Sequence, residues 1–428
     1  MTASAIFQPL KLPNGSTVAN RLCKAAMEEN LAEQPGQYPG ERLFALYRAW
    51  AEGGVGMILT GNVMVSPSSL TGPGGVVLEA GTNLEPFRQW AEIGKAGGAQ
   101  MWMQINHTGR QMYKNLGEEA VSPSDKALDL GKLSSLFAEP RALEEAEIEA
   151  IIQRFVDTAA LAEEAGFDGV QIHSAHGYLS SQFLSPLTNQ RTDQWGGSLE
   201  NRARFLLSIV ERVRQKVKLS FGVSVKLNSA DFQKGGFEFE DARQVVEWLG
   251  GHGVDYVELS GGSYESPAMT GSGTGSGTGS GTGTESGTST GKREAYFIQF
   301  ARDIAKVAEM PIMVTGGITK RAVAEDALAH DAAGFGVELL GIARAMAFNP
   351  DLPNDWRAGR SLEFEMPAPT WSNTTFAGLA TMAITKAQME LMAQGKPVKP
   401  DVSPIRAMLA DQWRTARRAR NYRKWRAG

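Results

Sequence analysis

The chain has 428 residues, of which 42% are hydrophobic and 21% are charged, and its formal net charge is −4. This composition is typical of a globular protein, and so small a net charge gives no reason to expect a nucleic acid or an anionic membrane as partner. The single cysteine, Cys23, excludes an intramolecular disulfide and a cysteine-ligated iron–sulfur cluster.

The first twenty residues lack the basic start and apolar core of a secretory signal. No stretch of the sequence approaches the roughly 20 apolar residues that a membrane-spanning helix needs. We therefore expect a cytoplasmic protein that has no membrane partner.

Eight short apolar runs are predicted strands, each followed by a loop and a segment with helical periodicity. Strands that alternate with helices pair in parallel, and eight such units close into a (β/α)8 barrel. The predicted fold class is therefore α/β, a (β/α)8 TIM barrel, and the count of eight favours it over a doubly wound open sheet. In chain order the runs are Arg21–Met27, Gly56–Gly61, Ala99–His107, Gly169–His173, Phe221–Asn228, Val254–Ser260, Pro311–Gly317 and Val337–Arg344.

Two segments lie outside this repeat. Residues 270–292 contain almost only Gly, Ser and Thr, which predicts a flexible loop inserted into a barrel that spans residues 1–360. The glycines alternate strictly through the repeat, which does not match G-x-G-x-x-G, and no Lys-Ser or Lys-Thr pair follows as in a P-loop. Residues 361–428 form a predicted helical extension at the C-terminus.

The end of this extension, residues 413–428, carries seven basic residues, no acidic residue and several aromatic residues. Such a pattern is also seen in nucleic-acid-binding arms. An Arg-rich helix that packs on the barrel or on a neighbouring subunit is the simpler interpretation, and we expect no nucleic-acid partner.

Of the five histidines, His173 ends the fourth predicted strand and His176 follows it, with Tyr178 two residues further on. In a (β/α)8 barrel this end of the strands carries the chemistry. From their spacing alone, the two histidines could be buried structural residues, metal ligands or paired donors to an anionic oxygen. No nearby Cys or Glu/His cluster supplies further metal ligands, so we predict no metal site.

The segment from residue 173 to residue 205, HSAHGYLSSQFLSPLTNQRTDQWGGSLENRARF, resembles the signature of the Old Yellow Enzyme family of FMN-dependent oxidoreductases. The stretches NRLCKAAM, QINHTGR, VKLN, KREAYF, VTGGI and GIARAMAFNPDLP follow in the order of that family, so that the resemblance covers residues 9–353. It implies a (β/α)8 barrel with FMN at the C-terminal ends of the strands. The implied activity is that of an ene-reductase. NAD(P)H reduces FMN, and flavin N5 then passes a hydride to the β-carbon of an enone, enal, nitroalkene or maleimide.

The resemblance also assigns roles to residues. His173 and His176 would donate hydrogen bonds to the carbonyl or nitro oxygen of the substrate, and Tyr178 would protonate the α-carbon. Gln104 would pair with the pyrimidine edge of the flavin, and Lys226 would lie beside N1 and the C2 carbonyl, where reduction places negative charge.

The remaining assignments concern the phosphate and the other edge of the flavin. Backbone N–H groups of glycine and the charge of an arginine suit the phosphate. The residues assigned to the phosphate are Gly316, Gly317, Ala343 and Arg344. Backbone donors from Ala25, Ala26 and Met27, together with Gly61, are expected to line the other edge of the flavin.

This sequence departs from the family pattern at three positions. Ala343 replaces a glycine that is usual before the arginine. Glu28 replaces a Thr or Cys that donates a hydrogen bond toward flavin O4, so its side chain either turns away or stays protonated. Asn30 stands where some relatives have an active-site tyrosine, which leaves substrate preference open.

The expected partners are a small α,β-unsaturated molecule and, by analogy with many relatives, further copies of the chain in a homodimer or homotetramer. Two alternatives stay open. One is a flavin-binding barrel with little ene-reductase turnover, and the other is a metal-dependent barrel lyase or hydrolase that uses His173 and His176 as ligands.

Overall fold

The structure is a computed structural model that describes residues 4–262, 265, 298–360, 366–367, 369–371 and 374–428. The predicted loop at residues 270–292 and the KREAYF stretch lie outside the described residues.

Eight parallel strands form a closed barrel. Each strand pairs with the next one in the chain, and the eighth pairs with the first. The predicted (β/α)8 barrel is confirmed, and the open sheet is wrong. The strands are β1 (Leu22–Lys24), β2 (Met57–Leu59), β3 (Gln100–Asn106), β4 (Gly169–Ser174), β5 (Gly222–Asn228), β6 (Tyr256–Ser260), β7 (Ile312–Thr315) and β8 (Leu339–Ile342).

Amphipathic helices surround the barrel and bury their apolar faces against the outward-facing side chains of the strands. Capping boxes begin two of them, at Glu144 and at Glu238. Residues 298–305 are also helical. The bounded helices up to β8 are Glu41–Glu52, Glu85–Lys95, Glu145–Glu164, Leu179–Leu184, Leu199–Lys216, Phe239–Gly250 and Arg321–Ala327, and those after β8 are Arg344–Phe348, Leu352–Arg357, Thr374–Met392 and Pro404–Arg426.

Short strands outside the barrel wall extend its two ends. An antiparallel pair, Leu10–Lys11 with Thr17–Val18, contributes apolar side chains to the cluster inside the barrel. That cluster contains Met57 and Leu339, the first residues of β2 and β8, so the pair closes the N-terminal end of the barrel. The remaining short strands are Val63–Met64, Val76–Val77, Ala120–Ser122 and Pro140–Ala142.

Trp102 fills the barrel interior near the first residues of β4 and β5. Its ring lies 5.1 Å from that of Tyr256, measured between centroids. A Cβ atom on Gly169 or on Gly222 would overlap the Trp102 ring. The two glycines that begin β4 and β5 are therefore needed for their small volume, since interiors this dense do not accept added atoms.

Replacing Gly222 by alanine is expected to lower the free energy of unfolding by about 1–3 kcal/mol, because the added methyl group overpacks the barrel interior against Trp102. Urea unfolding measures this loss. Gly251→Ala is the matched control, because a Cβ at Gly251 would meet nothing closer than 3.8 Å. Equal stability of the two variants would contradict this account of the packing.

The Arg-rich end of the chain is the helix Pro404–Arg426, which lies against the loops that follow β2 and β3. The Tyr422 hydroxyl is 2.7 Å from the carbonyl oxygen of Pro67 and 2.7 Å from Oε1 of Glu118. Arg426 forms an ion pair of 2.7 Å with Glu118. Part of the basic charge of this helix is thus used in contacts with the barrel. Among the described residues, no helix has the length and apolar character that a membrane span requires.

Candidate active site

The fourth strand brings the three predicted catalytic side chains together at the C-terminal end of the barrel. The ring centroids of His173 and His176 are 5.0 Å apart, and those of His173 and Tyr178 are 4.9 Å apart. Both ring pairs meet edge to face. His173 is the fifth residue of β4, while His176 and Tyr178 lie in the turn that leads into the helix Leu179–Leu184.

One nitrogen of each imidazole is held by the protein. Nδ1 of His173 accepts a hydrogen bond of 3.2 Å from the backbone N–H of Ala175, so the proton of a neutral ring lies on Nε2. Nε2 of His176 is 2.8 Å from the Ser260 hydroxyl. In the part of the chain that the structure describes, Nε2 of His173 and Nδ1 of His176 have no partner.

The turn itself is held in an unusual backbone conformation. His176 has a φ of 60°, which is uncommon for a residue other than glycine. Its backbone N–H donates to Oδ1 of Asn228 at 3.1 Å, and its carbonyl oxygen accepts from Nε2 of Gln111 at 3.1 Å. These two contacts fix the backbone of the turn relative to β5 and to the loop after β3.

Both histidines are neutral at neutral pH. Burial lowers the pKa of His173 and of His176 well below the ordinary value, and the nearby Lys226 ammonium lowers each pKa further. A neutral imidazole carries one N–H donor. When the Ser260 hydroxyl donates to Nε2 of His176, each ring has one N–H left to donate to a bound molecule.

A buried polar chain crosses four strands below this pair. Lys226 donates to Oε1 of Glu258 at 2.7 Å, and Gln171 donates to Oε2 of Glu258 at 2.8 Å. Gln104 donates in turn to Oε1 of Gln171 at 2.7 Å. The strand register aligns Gln104 with Gln171, His173 with Lys226, and Lys226 with Glu258. The predicted residues Gln104 and Lys226 are thus connected through two residues that the sequence analysis missed.

A signal for the missed residues exists in the sequence. Gln171 lies two positions before His173, and side chains two apart on a strand share a face. Glu258 is the one charged residue in the strand sequence YVELS of β6. A charge inside a barrel strand indicates a buried partner.

The loop after β1 differs in part from expectation. The N–H of Ala25 donates to the carbonyl oxygen of Ile342 at 3.0 Å, and the N–H of Gly61 donates to the Tyr47 hydroxyl at 3.0 Å. These two donors are therefore already used inside the protein and are not available to a ligand. Within the described residues, the N–H groups of Ala26 and Met27 have no acceptor.

A second cluster missed from the sequence holds this loop against β2. Oε1 of Glu29 accepts from the Tyr47 hydroxyl at 2.6 Å and from Nζ of Lys24 at 3.3 Å. The ammonium of Lys24 also lies 4.2 Å from the ring centroid of Trp50. Burial lowers the pKa of Lys24 to about 8, although the neighbouring Glu29 carboxylate opposes that shift. The members of this cluster form hydrogen bonds with one another. We therefore assign the cluster the role of positioning the loop.

Glu28 turns toward the loop after β2, where its carboxylate accepts a hydrogen bond from the Thr71 hydroxyl. With Glu29 and Asn30, it lines a small cavity beside Gly61 and Gly74. Position 28, where the family pattern has a hydrogen-bond donor, therefore carries an acceptor. The Thr71 hydroxyl, in the loop after β2, donates to this acceptor.

The ends of β7 and β8 form a corner suited to an anion. Gly316 and Gly317 have φ values of 141° and 70°, which residues with a side chain rarely adopt. The half-buried Arg344 follows β8, and burial lowers its pKa. Between Ser4 and Gly428, leaving aside the undescribed segments, Arg344 has no carboxylate or hydrogen-bond partner. The register of Thr315 with Gly341 makes the two loops neighbours.

Among the described residues, no group of three or more His, Cys, Asp or Glu side chains is placed to hold a metal ion. The two histidines meet edge to face without a third ligand. The metal-dependent lyase or hydrolase therefore lacks a ligand set in the described part of the chain.

Comparison with known proteins extends these findings. Residues 5–363 match the model of the NADH:flavin oxidoreductase / NADH oxidase family. The NADH-dependent flavin oxidoreductase iliE of Hypocrea jecorina (strain QM6a) is 37% identical over 362 residues, which are 81% of this chain and 87% of the relative. The NADH oxidase of Thermoanaerobacter brockii is 33% identical over 350 residues, which are 81% of this chain and 50% of the relative.

Solved structures share the fold. The Old Yellow Enzyme homologue from Zymomonas mobilis has a TM-score of 0.65 at 24% identity, covering 83% of this chain and 93% of that one. A 2-naphthoyl-CoA reductase in complex with 2-naphthoyl-CoA has a TM-score of 0.71 at 26% identity, covering 83% of this chain and 52% of that one. The chain belongs to the NADH:flavin oxidoreductase / NADH oxidase family, and is a flavin-dependent oxidoreductase that uses FMN and NAD(P)H.

Proposed function

We propose that the protein is an ene-reductase that reduces the C=C bond of small activated alkenes such as enones, enals, nitroalkenes and maleimides. The observation that supports this most strongly is the pair of neutral imidazoles at the barrel mouth, each with one nitrogen held by the protein and the other without a partner among the described residues.

The residues present fit FMN. The guanidinium of Arg344, which has no partner among the described residues, and the glycines Gly316 and Gly317 suit its phosphate, together with the backbone at Ala343. Lys226 and Gln104, held side by side through Gln171 and Glu258, suit the pyrimidine edge of the flavin. Ala26 and Met27 offer backbone donors, whereas Ala25 and Gly61 would line the flavin without donating.

Bound FMN would supply hydride transfer from NAD(P)H to the β-carbon of the alkene. His173 and His176 then have a defined task. Their two N–H groups hold the carbonyl or nitro oxygen, and they stabilise the negative charge that grows there as the β-carbon receives the hydride. Because the rings are neutral, they stabilise this oxygen by hydrogen bonds and do not protonate it.

The α-carbon requires a proton, which we assign to Tyr178. This side chain is 5% exposed, and its ring lies against that of His173. A phenol is a weak acid in water, with a pKa near 10, but it can protonate a strongly basic carbon held against it. The Tyr178 hydroxyl thus completes the addition of hydrogen across the double bond.

Anaerobic spectroscopy of the purified protein tests this function. We expect NADH or NADPH to bleach the bound flavin, and 2-cyclohexenone to restore its absorbance with formation of cyclohexanone. Bleached flavin that persists in excess enone, maleimide and nitroalkene but recovers with oxygen would overturn the proposal. That result would support the flavin-binding barrel with little ene-reductase turnover.

Replacing Arg344 by alanine is expected to raise the dissociation constant of FMN by about tenfold or more, because hydrogen bonds to charged groups are worth roughly 1.5–3 kcal/mol. Fluorescence titration of the apoprotein with FMN measures the change. Arg357→Ala is the matched control, since Arg357 is an exposed arginine on the following helix. Riboflavin, which lacks the phosphate, should bind both variants equally, and an FMN affinity unchanged by Arg344→Ala would refute the assignment.

A further inference from the structure

We propose that Glu258 is a positioning residue that tunes the bound flavin. It fixes the direction of the Gln104 amide and offsets the charge of Lys226. The proposal rests on the placement of the pyrimidine edge given under the proposed function. Glu258 itself would not touch the flavin, since both of its carboxylate oxygens are bonded to other side chains of the barrel.

The geometry begins with burial. The side chains of Lys226 and Glu258 are 4% and 0% exposed, and the two charged groups are 2.7 Å apart. A buried carboxylate is costly unless it is paired and hydrogen-bonded. Here one oxygen accepts from Lys226 and the other accepts from Gln171. The carboxylate is thus a fixed anchor on β6 for one side chain of β4 and one of β5.

That anchor sets the direction of two amides. A carboxylate can only accept hydrogen bonds, so Gln171 must turn its NH2 group toward Glu258 and its oxygen toward Gln104. Gln104 must then give an N–H to Gln171, as the contact of 2.7 Å shows. Its own carbonyl oxygen is left as the acceptor for a ligand. The imide N–H of an isoalloxazine is the donor that this oxygen suits.

The same anchor sets the local charge. Lys226 would stabilise negative charge on the flavin, but its ammonium faces the Glu258 carboxylate at close range. Opposite charges so near each other partly cancel in their effect on a third group. Glu258 therefore keeps the reduction potential of the flavin lower than Lys226 alone would set it. It also holds the ammonium at a fixed position.

The test is the midpoint potential of the bound flavin, measured by anaerobic dye equilibration. Glu258→Gln, which keeps the shape and removes the charge, is expected to raise the potential, and Lys226→Met is expected to lower it. Glu247→Gln, which removes an exposed carboxylate on the helix after β5, should leave the potential unchanged. Gln171→Leu keeps the ion pair, so the potential should change little. Because this variant no longer orients the Gln104 amide, it should raise the dissociation constant of FMN about fivefold to tenfold.

The outcomes separate the two proposals. A lowered potential in Lys226→Met together with an unchanged or lowered potential in Glu258→Gln would overturn the role of Glu258 and keep the flavin placement. Unchanged potentials in both variants would overturn the placement itself. Where Glu258→Gln fails to fold, Glu258→Asp retains the charge, and we expect it to keep the potential within the range of the wild type while weakening FMN binding. A rise in potential in that variant would refute the role.

Discussion

Replacing both His173 and His176 by alanine is expected to lower the rate of enone reduction by about two orders of magnitude or more. The physical reason is the loss of both N–H donors at the oxygen where negative charge grows. FMN should stay bound, because neither ring holds the phosphate corner or the pyrimidine edge in this account. Stopped-flow measurement of flavin reoxidation by 2-cyclohexenone measures the effect.

The control for this double variant is His252→Ala, which removes a histidine beyond the end of the helix Phe239–Gly250, away from the barrel mouth. It should reduce enones at the wild-type rate. Reduction of the flavin by NADH is the internal check that the double variant is folded and loaded. An enone rate that stays within about threefold of the wild type would remove the histidine pair from the mechanism.

Replacing Tyr178 by phenylalanine is expected to slow the alkene half-reaction by about a hundredfold or more, which is the usual contribution of a positioned general acid. Reduction of the flavin by NADH should be unaffected, because no proton on an alkene carbon is needed in that step. The two half-reactions are measured separately by anaerobic stopped flow.

Tyr38→Phe is the matched control, because Tyr38 is an exposed tyrosine in the loop before the helix Glu41–Glu52. A nitroalkene substrate sharpens the comparison, since a nitronate can leave the enzyme and take its proton from water. Tyr178→Phe should therefore impair enone reduction more than nitroalkene consumption. A variant that loses only the reaction with NADH would show that the tyrosine acts on the nicotinamide and not on the alkene.

The barrel could be predicted because its signal is local. Eight apolar runs, each bounded by loop residues, already imply parallel strands, and their closure follows from the count. The ends of the strands are predicted less accurately than their existence. The first strand stops at Lys24 and not at Met27, because the residues after Lys24 belong to the loop at the barrel mouth. An apolar run does not show where pairing with its neighbours ends.

The proximity of the three proposed catalytic residues could also be predicted, since His173, His176 and Tyr178 are close in sequence and lie at the end of one strand. The residues that orient these side chains could not be predicted. Asn228 and Ser260 contact His176 from β5 and β6, so their involvement depends on the stagger of strands that are distant in sequence.

The backbone donors show the same limit. The stretch NRLCKAAM does not show that the N–H of Ala25 donates to the carbonyl oxygen of Ile342. The sequence around Gly61 likewise does not show that its N–H donates to the Tyr47 hydroxyl. The resemblance points to these loops, but only the three-dimensional pairing shows which of their N–H groups remain for a ligand.

The central claim is that an alkene lies over the flavin with its activating oxygen held by two neutral imidazoles. A crystal structure of the oxidised holoprotein soaked with 2-cyclohexenone tests it most directly. We predict the ketone oxygen within about 2.7–3.1 Å of Nε2 of His173 and Nδ1 of His176, with the β-carbon over flavin N5. An enone oxygen bound away from both rings, or a barrel mouth filled by a metal ion between them, would contradict the account.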